Sequence, residues 1–264
     1  MLKVLISGAA GKMGTEAVKT VLADNELKLV GCIGNERYIG EDIGLIVKGQ
    51  EIGIKLSNDV DKTFDETQPD ILLDLTNGES GYKIITKAIK RNISCVTGST
   101  GFSHEQLEEI RKLTTENGLT TLVVPNFAIG AVLMMKFAEQ AGKYFNHVEI
   151  IEMHHEKKKD SPSGTAIKTA EMILKNSSEY NNDLPQSFEK ITGSRGGKVG
   201  NINIHSIRLP GYVATQEVIF GGIGQTLIIK HETINRESFM PGVIFSIKKT
   251  REVKGYIYGL ENLL

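Results

Sequence analysis

The chain has 264 residues, enough for one large domain or two of moderate size. With 40% apolar and 24% charged residues it is ordinary globular protein by composition, and no apolar run reaches the roughly 18 residues of a membrane span. Lys plus Arg number 31 against 32 for Asp plus Glu, a formal charge of −1, so the basic excess of a dedicated nucleic-acid binder is missing.

The N-terminus opens into MLKVLISGAAG without a signal-like apolar region and cleavage site, and a cytoplasmic location is expected. Leu2–Ser7 (LKVLIS) reads as a buried strand. After a glycine turn, Met13, Ala17, Val18, Val21 and Leu22 recur at helical spacing. LKLVGCI reads as a second strand. DILLDLT (70–76), ISCVTG (93–98) and LTTLVVP (119–125) follow as short strands, separated by amphipathic helices such as YKIITKAIKRN and HEQLEEIRKLTTENG. This alternation predicts an α/β domain with a doubly wound parallel sheet. Cys32 and Cys95 each fall in a strand-like run and are expected to be buried, reduced thiols.

The texture changes after Pro125. A helical stretch over 128–145 leads into HVEIIEMHH, and NINIHSIRLP, YVATQEVIFGG and GQTLIIKHETI are strands separated by turn residues. A smaller α+β domain with a mixed or antiparallel sheet is predicted. The glycine-rich segment 192–201 is expected to be a mobile loop. The helix-like run FMPGVIFSIKKTRE suits either domain.

GAAGKMG places Gly8, Gly11 and Gly14 between the first strand and the first helix. One glycine permits the tight turn, one lets backbone approach a pyrophosphate, and one lets helix and strand pack closely. The helix start then offers N–H groups and a positive dipole end to phosphates. Near the end of the second strand, Glu36 suits ribose hydroxyls, whereas Arg37 and Lys12 suit a 2′-phosphate. NADH and NADPH both fit this pattern, as does an ordinary solvated Glu36–Arg37 pair.

The second constellation is HHEKKKDSPSGTA (154–166). His154 and His155 diverge on a strand and on a helix, so no metal site is expected. Glu156 and Asp160 flank Lys157, Lys158 and Lys159, and no aromatics interleave, so no nucleic-acid partner is expected. Pro162, Ser163, Gly164 and Thr165 lead into a helical pattern, and such a helix start suits a carboxylate. A proton carrier, a cationic donor and a carboxylate cradle thus fall within thirteen residues. Beside a nicotinamide site, that combination points to hydride transfer to an anionic substrate, with a proton from a side chain. The lysines flanking Lys158 would favour its giving up a proton. The strand is expected to end or bend at His154.

EIIEMHHEKKKDSPSGTA also resembles the signature of the dihydrodipicolinate reductase family, E-x-H-H-x-x-K-x-D-[AS]-P-S-G-T-A, and fits it throughout. GAAGKMG, VTGSTGF, PNFAIGAVLM and KHETINRESFMPG resemble further family stretches, so the resemblance spans nearly the whole chain. It implies reduction of 4-hydroxy-tetrahydrodipicolinate, a cyclic dicarboxylate, by NADH or NADPH in the diaminopimelate route to lysine. It implies a Rossmann-type domain over 1–126 and 237–264, and a substrate and oligomerisation domain over 127–236 that builds a homotetramer. Carried over by position, His154 is the catalytic acid/base and Lys158 the proton donor. His155, Ser163, Gly164 and Thr165 hold the substrate. Gly8, Ala9, Ala10, Gly11, Lys12 and Met13 line the dinucleotide, with Glu36, Arg37, Gly98, Ser99, Thr100, Pro125, Asn126, Phe127 and Ala128. Rival readings are another nicotinamide oxidoreductase of this architecture acting on a different amino or imino acid, and a non-catalytic dinucleotide-binding regulator.

Four positions depart from the family pattern. Ser99 replaces threonine, Ala128 replaces serine, Asn77 stands where some members carry arginine, and Gly34 where an acid often stands. The choice between NADH and NADPH stays open. Arg195, His231 and Arg236 receive no role.

Overall fold

The computed structural model describes residues 1–34, 36–185 and 188–264. The chain divides into two compact units, Met1–Phe127 with Phe239–Leu264, and Ala128–Ser238.

The first unit runs β1 (Leu2–Ser7), α1 (Lys12–Ala23), β2 (Leu27–Ile33), α2 (Ile43–Lys48), β3 (Leu56–Ser57), α3 (Val60–Thr67), β4 (Ile71–Asp74), α4 (Gly78–Ile89), β5 (Ser94–Thr97), α5 (His104–Glu116) and β6 (Thr120–Val123). The chain returns to it as α8 (Met240–Lys249) and β12 (Gly255–Tyr258). All seven strands are parallel, in the order β12-β6-β5-β4-β1-β2-β3. This is the doubly wound arrangement expected of the α/β half. Helices cover both faces, so β1, β4 and β6 are almost wholly buried, including their polar residues Ser7, Asp74, Thr120 and Thr121. Leu5, Phe64, Leu72, Ile85, Ile89 and Ile110 form the core around β4. Cys32 and Cys95 are buried and unpaired, and burial pushes the Cys32 thiol up to about 12. The strand order reverses between β1 and β4, and their carboxyl ends form the topological switch point where such sheets bind ligands.

The second unit contains α6 (Ile129–Ala141), β7 (His147–His154), α7 (Gly164–Leu174), β8 (Gly197–Val199), β9 (Ile202–Arg208), β10 (Ala214–Gly222) and β11 (Gln225–Thr233). Its sheet has the order β11-β10-β7-β9-β8. Only β7 and β9 pair in parallel, so the sheet is mixed, as expected. The segment 192–201 contains β8, and Glu189 accepts hydrogen bonds from the Gly193 and Arg195 amides at 2.9 Å.

The two-residue period of β7 organises this unit. Val148 and Ile150 pack into the core with Ala166, Ala170 and Ile173 of α7 and with Ala138 of α6. Glu152 and His154 continue the same row, so the helix-covered layer turns polar as β7 ends. Cross-strand register extends the polar layer: Ser206 and Gln216 lie beside Glu152, and Arg208 and Ala214 beside His154.

Candidate active site

In the first unit, the glycine turn has the geometry that its sequence predicts. Gly8 has a φ of +74°, and a Cβ there would lie 2.7 Å from the Leu75 carbonyl oxygen. At Gly14, a Cβ would collide with the Gly8 and Ala9 carbonyls, so only glycine lets α1 sit this close to the turn. Gly11 precedes α1 without a side-chain cap, leaving the helix start to offer its amides outward. A cavity of about 610 Å³ lies over the turn, with Gly8, Ala10, Gly11, Arg37, Thr76 and Asn77 in its wall. Glycine cradle, uncapped helix start and cavity together fit a dinucleotide pyrophosphate.

The remaining predicted dinucleotide residues differ in what they offer. Arg37 lines the cavity, with its guanidinium 5.0 Å from the centre of the Tyr38 ring. Glu36 is exposed and is not part of that lining. Lys12 is exposed, Met13 half-buried, and Ala9 wholly buried with its amide donating to the Ile33 carbonyl. Gly98 packs against the Phe127 ring, which brings 98–100 and 125–127 together at the ends of β5 and β6. Thr100 and Pro125 are exposed, Asn126 half-buried, and Phe127 and Ala128 buried. Asn77 caps α4 by accepting from the Ser80 amide at 3.0 Å.

Asp74 was not singled out from sequence. It is fully buried at the end of β4 and accepts from the hydroxyls of Ser7 (2.8 Å), Thr76 (2.7 Å), Thr97 (2.7 Å) and Ser99 (2.6 Å). Its carboxylate ties together the carboxyl ends of β1, β4 and β5 beside the cavity. The Ser99 hydroxyl is therefore engaged with Asp74. The pattern that marks Asp74 is an acid closing an apolar strand, with hydroxyl residues closing its neighbours.

In the second unit, β7 ends at His154, which resolves the opposed directions of the two histidines. His154 stays on the strand. His155 enters a tight turn in which its carbonyl accepts from the Lys158 amide and its Nδ1 from the Lys157 amide. His154 Nδ1 lies 2.5 Å from Glu152 Oε2, and Glu152 has no exposed side-chain surface. An ionised carboxylate only accepts hydrogen bonds, so Nδ1 carries the proton. Nε2 has no hydrogen-bond partner among the described residues, and 16% of the side chain remains exposed.

Arg208, also unassigned from sequence, grips the same carboxylate through both terminal nitrogens, at 2.9 and 2.8 Å. Burial alone would raise the Glu152 carboxyl, but the bonds from His154, Arg208 and Ser206 outweigh it and hold it down at about 2. The Ser163 amide donates to Glu152 Oε1 at 3.2 Å, and the Ser163 hydroxyl caps α7 by accepting from the Ala166 amide. Gly164 and Thr165 open the first turn of α7, and a Cβ on Gly164 would meet nothing within 4 Å.

Lys158 Nζ is held by both oxygens of Asp160, each at 2.7 Å, a partner that the run of lysines does not announce. The Asp160 carboxyl is lowered, chiefly by that bond. Arg195 pairs with Glu149, which also accepts from His205 Nε2 at 2.7 Å, on the face of β7 opposite His154. The His231 ring packs against Gly130 at the start of α6, and burial lowers its pKa. Arg236 lies in an exposed 3₁₀ turn.

A doubly wound dinucleotide fold with a second unit carrying His, Lys and a helix start defines a nicotinamide-dependent oxidoreductase class. Comparison with known proteins narrows it. The family described as "Dihydrodipicolinate reductase, N-terminus" matches residues 2–127, and "Dihydrodipicolinate reductase, C-terminus" matches 130–264. The chain is 47% identical to the 4-hydroxy-tetrahydrodipicolinate reductase of Syntrophomonas wolfei, covering 99% of this chain and 98% of that one. It is 44% identical to the Listeria welshimeri enzyme of the same name, covering 100% of both. Dipicolinate-bound dihydrodipicolinate reductase from Paenisporosarcina sp. TG-14 superposes with a TM-score of 0.87 at 42% identity over all of both chains. The amine dehydrogenase of Mycobacterium smegmatis, with a TM-score of 0.66 and 13% identity over 97% of this chain and 94% of that one, shares the fold. The chain belongs to the dihydrodipicolinate reductase family.

Proposed function

We propose that this protein reduces 4-hydroxy-tetrahydrodipicolinate to tetrahydrodipicolinate with NADH or NADPH, in the diaminopimelate route to lysine. Hydride and a proton enter the ring system and water leaves. The observation that carries the reading is His154, held by a buried carboxylate with Nε2 unengaged, on the same segment as Lys158 and the start of α7.

When bound, the reduced nicotinamide supplies the hydride. Gly8–Met13 hold the pyrophosphate, and 98–100 and 125–128 line the rest of the dinucleotide. Arg37 serves the 2′-phosphate of NADPH and Glu36 the ribose of NADH, and NADH or NADPH fits this pattern. In the second unit, the first turn of α7, with Ser163, Gly164 and Thr165, holds a substrate carboxylate that draws electron density from the ring. His155 holds the other. Lys158 or His154 gives the proton to the carbon that hydride addition leaves electron-rich. Asp160 holds the Lys158 ammonium in place until substrate arrives.

The reading extends to a homotetramer. Edge strand β11 exposes Leu227 and Ile228, and Ile223 at the adjoining hairpin is fully exposed, a surface suited to another copy of this chain. A cytoplasmic location accompanies it; no helix among the described residues is long and apolar enough to cross a membrane. The test is an absorbance assay with freshly formed substrate. NADH or NADPH is consumed only when protein and substrate are both present; consumption without substrate, or none with it, contradicts the reading.

A further inference from the structure

We infer that Glu152 is a positioning residue that fixes both the tautomer of His154 and the shape of the segment from His154 to Ser163. This rests on the proposed role of His154 as the catalytic acid/base. One buried carboxylate receives the two ends of that segment: Oε2 takes His154 Nδ1 at 2.5 Å, and Oε1 takes the Ser163 amide at 3.2 Å. Arg208 joins the middle. Its NH2 donates to Glu152 Oε1 at 2.8 Å and to the Asp160 carbonyl at 2.7 Å. Asp160 is the residue that holds Lys158. Through Arg208, Glu152 thus sets the origin of both the histidine and the lysine, while its full burial keeps it from touching substrate itself.

The donor count makes the role specific. Oε1 faces two donors that cannot reverse, an arginine N–H and a backbone N–H. Oε2 faces one that cannot, Arg208 NH1, and one that can, the imidazole; the Ser206 hydroxyl that also bonds this carboxylate can reverse and opposes neither orientation. If Gln replaces Glu152, its NH₂ takes the Oε2 position, because there only one irreversible donor opposes it. His154 must then accept at Nδ1 and carry its proton on Nε2. A carboxylate acting only as structural filling would give no such inversion.

The experiment is ¹⁵N NMR of the histidine rings at neutral pH. In the wild-type protein, neutral His154 should be protonated on Nδ1; a neutral His154 protonated on Nε2 overturns the inference without recourse to any variant. Glu152→Gln should move the proton to Nε2 and cut kcat by roughly 10- to 100-fold, by analogy with the loss of the partner that orients a metal-ligating histidine. Affinity for NADH or NADPH should be unchanged. Retention of the Nδ1 tautomer in a folded Glu152→Gln protein contradicts the inference. His154→Gln separates the two ideas. If it keeps full turnover, the catalytic role of His154 fails, whereas the tautomer result bears on Glu152 alone.

Discussion

Arg208 and Glu152 meet through a two-point contact, NH1 to Oε2 at 2.9 Å and NH2 to Oε1 at 2.8 Å, on neighbouring parallel strands beneath α7. A paired carboxylate of this kind is strongly destabilising to break from one side, because the other charge stays buried. It also ties stability to pH. Glu152 sits at about 2 in the folded protein against an ordinary 4.5. A depressed carboxyl contributes its full stabilisation above the unfolded value and loses it as pH falls through the folded one. A protonated Glu152 resembles Gln in shape and charge. The difference in urea-unfolding free energy between wild type and Glu152→Gln should therefore be largest near neutral pH and shrink from about pH 4.5 toward pH 2. A difference that stays constant over that window contradicts the assignment.

On the proposed function, Arg37 is the residue that distinguishes the two cofactors. It lines the cavity over the glycine turn, where a 2′-phosphate needs a cation, while Glu36 stands outside the lining. Arg37→Ala should weaken NADPH binding roughly tenfold or more, since a hydrogen bond to a charged group contributes about 1.5–3 kcal/mol. NADH binding should change little. Fluorescence titration of both cofactors checks this, and equal losses would place Arg37 elsewhere in the site.

Gly164 opens α7, its φ is not in the left-handed region, and the space where a Cβ would go is empty. Gly164→Ala should therefore keep or raise stability, by about 0.4–1 kcal/mol, through a less flexible unfolded chain. The same methyl would occupy the approach of a carboxylate to the helix start. KM for the dicarboxylate should rise with cofactor affinity unaltered. An unchanged KM would remove the first turn of α7 from the substrate site.

The sequence makes much of this legible, for reasons that can be named. Apolar residues dominate β1, β2 and β4, interrupted by Lys3 and Lys28, β5 and β6 mix apolar residues with Ser and Thr, and the turn glycines sit where backbone must approach backbone. Elements defined by distant partners were missed. β3 is two residues long, and β12 is a four-residue strand that pairs with β6 from more than 130 positions away. α3 buries only Thr63 and Phe64, too little to set a helical period. In the site, His154, Lys158 and Ser163–Thr165 share one continuous stretch and could be read together. Arg208 reaches Glu152 across 56 residues through the register of β7 on β9, for which no local pattern exists. The Lys158–Asp160 contact is hidden for a related reason: sequence shows neighbours along the chain, while Asp160 turns back onto Lys158 through space.

On the proposed function, His154 and Lys158 carry the proton for a hydride reduction. The most direct measurement is kcat for His154→Gln and Lys158→Ala, made beside wild type at saturating substrate, with NADH and NADPH affinity determined separately. Loss of a positioned acid or base typically costs about 10²- to 10⁴-fold, so both variants should fall into that range while binding cofactor as wild type does. Turnover near the wild-type rate in both variants would contradict the account.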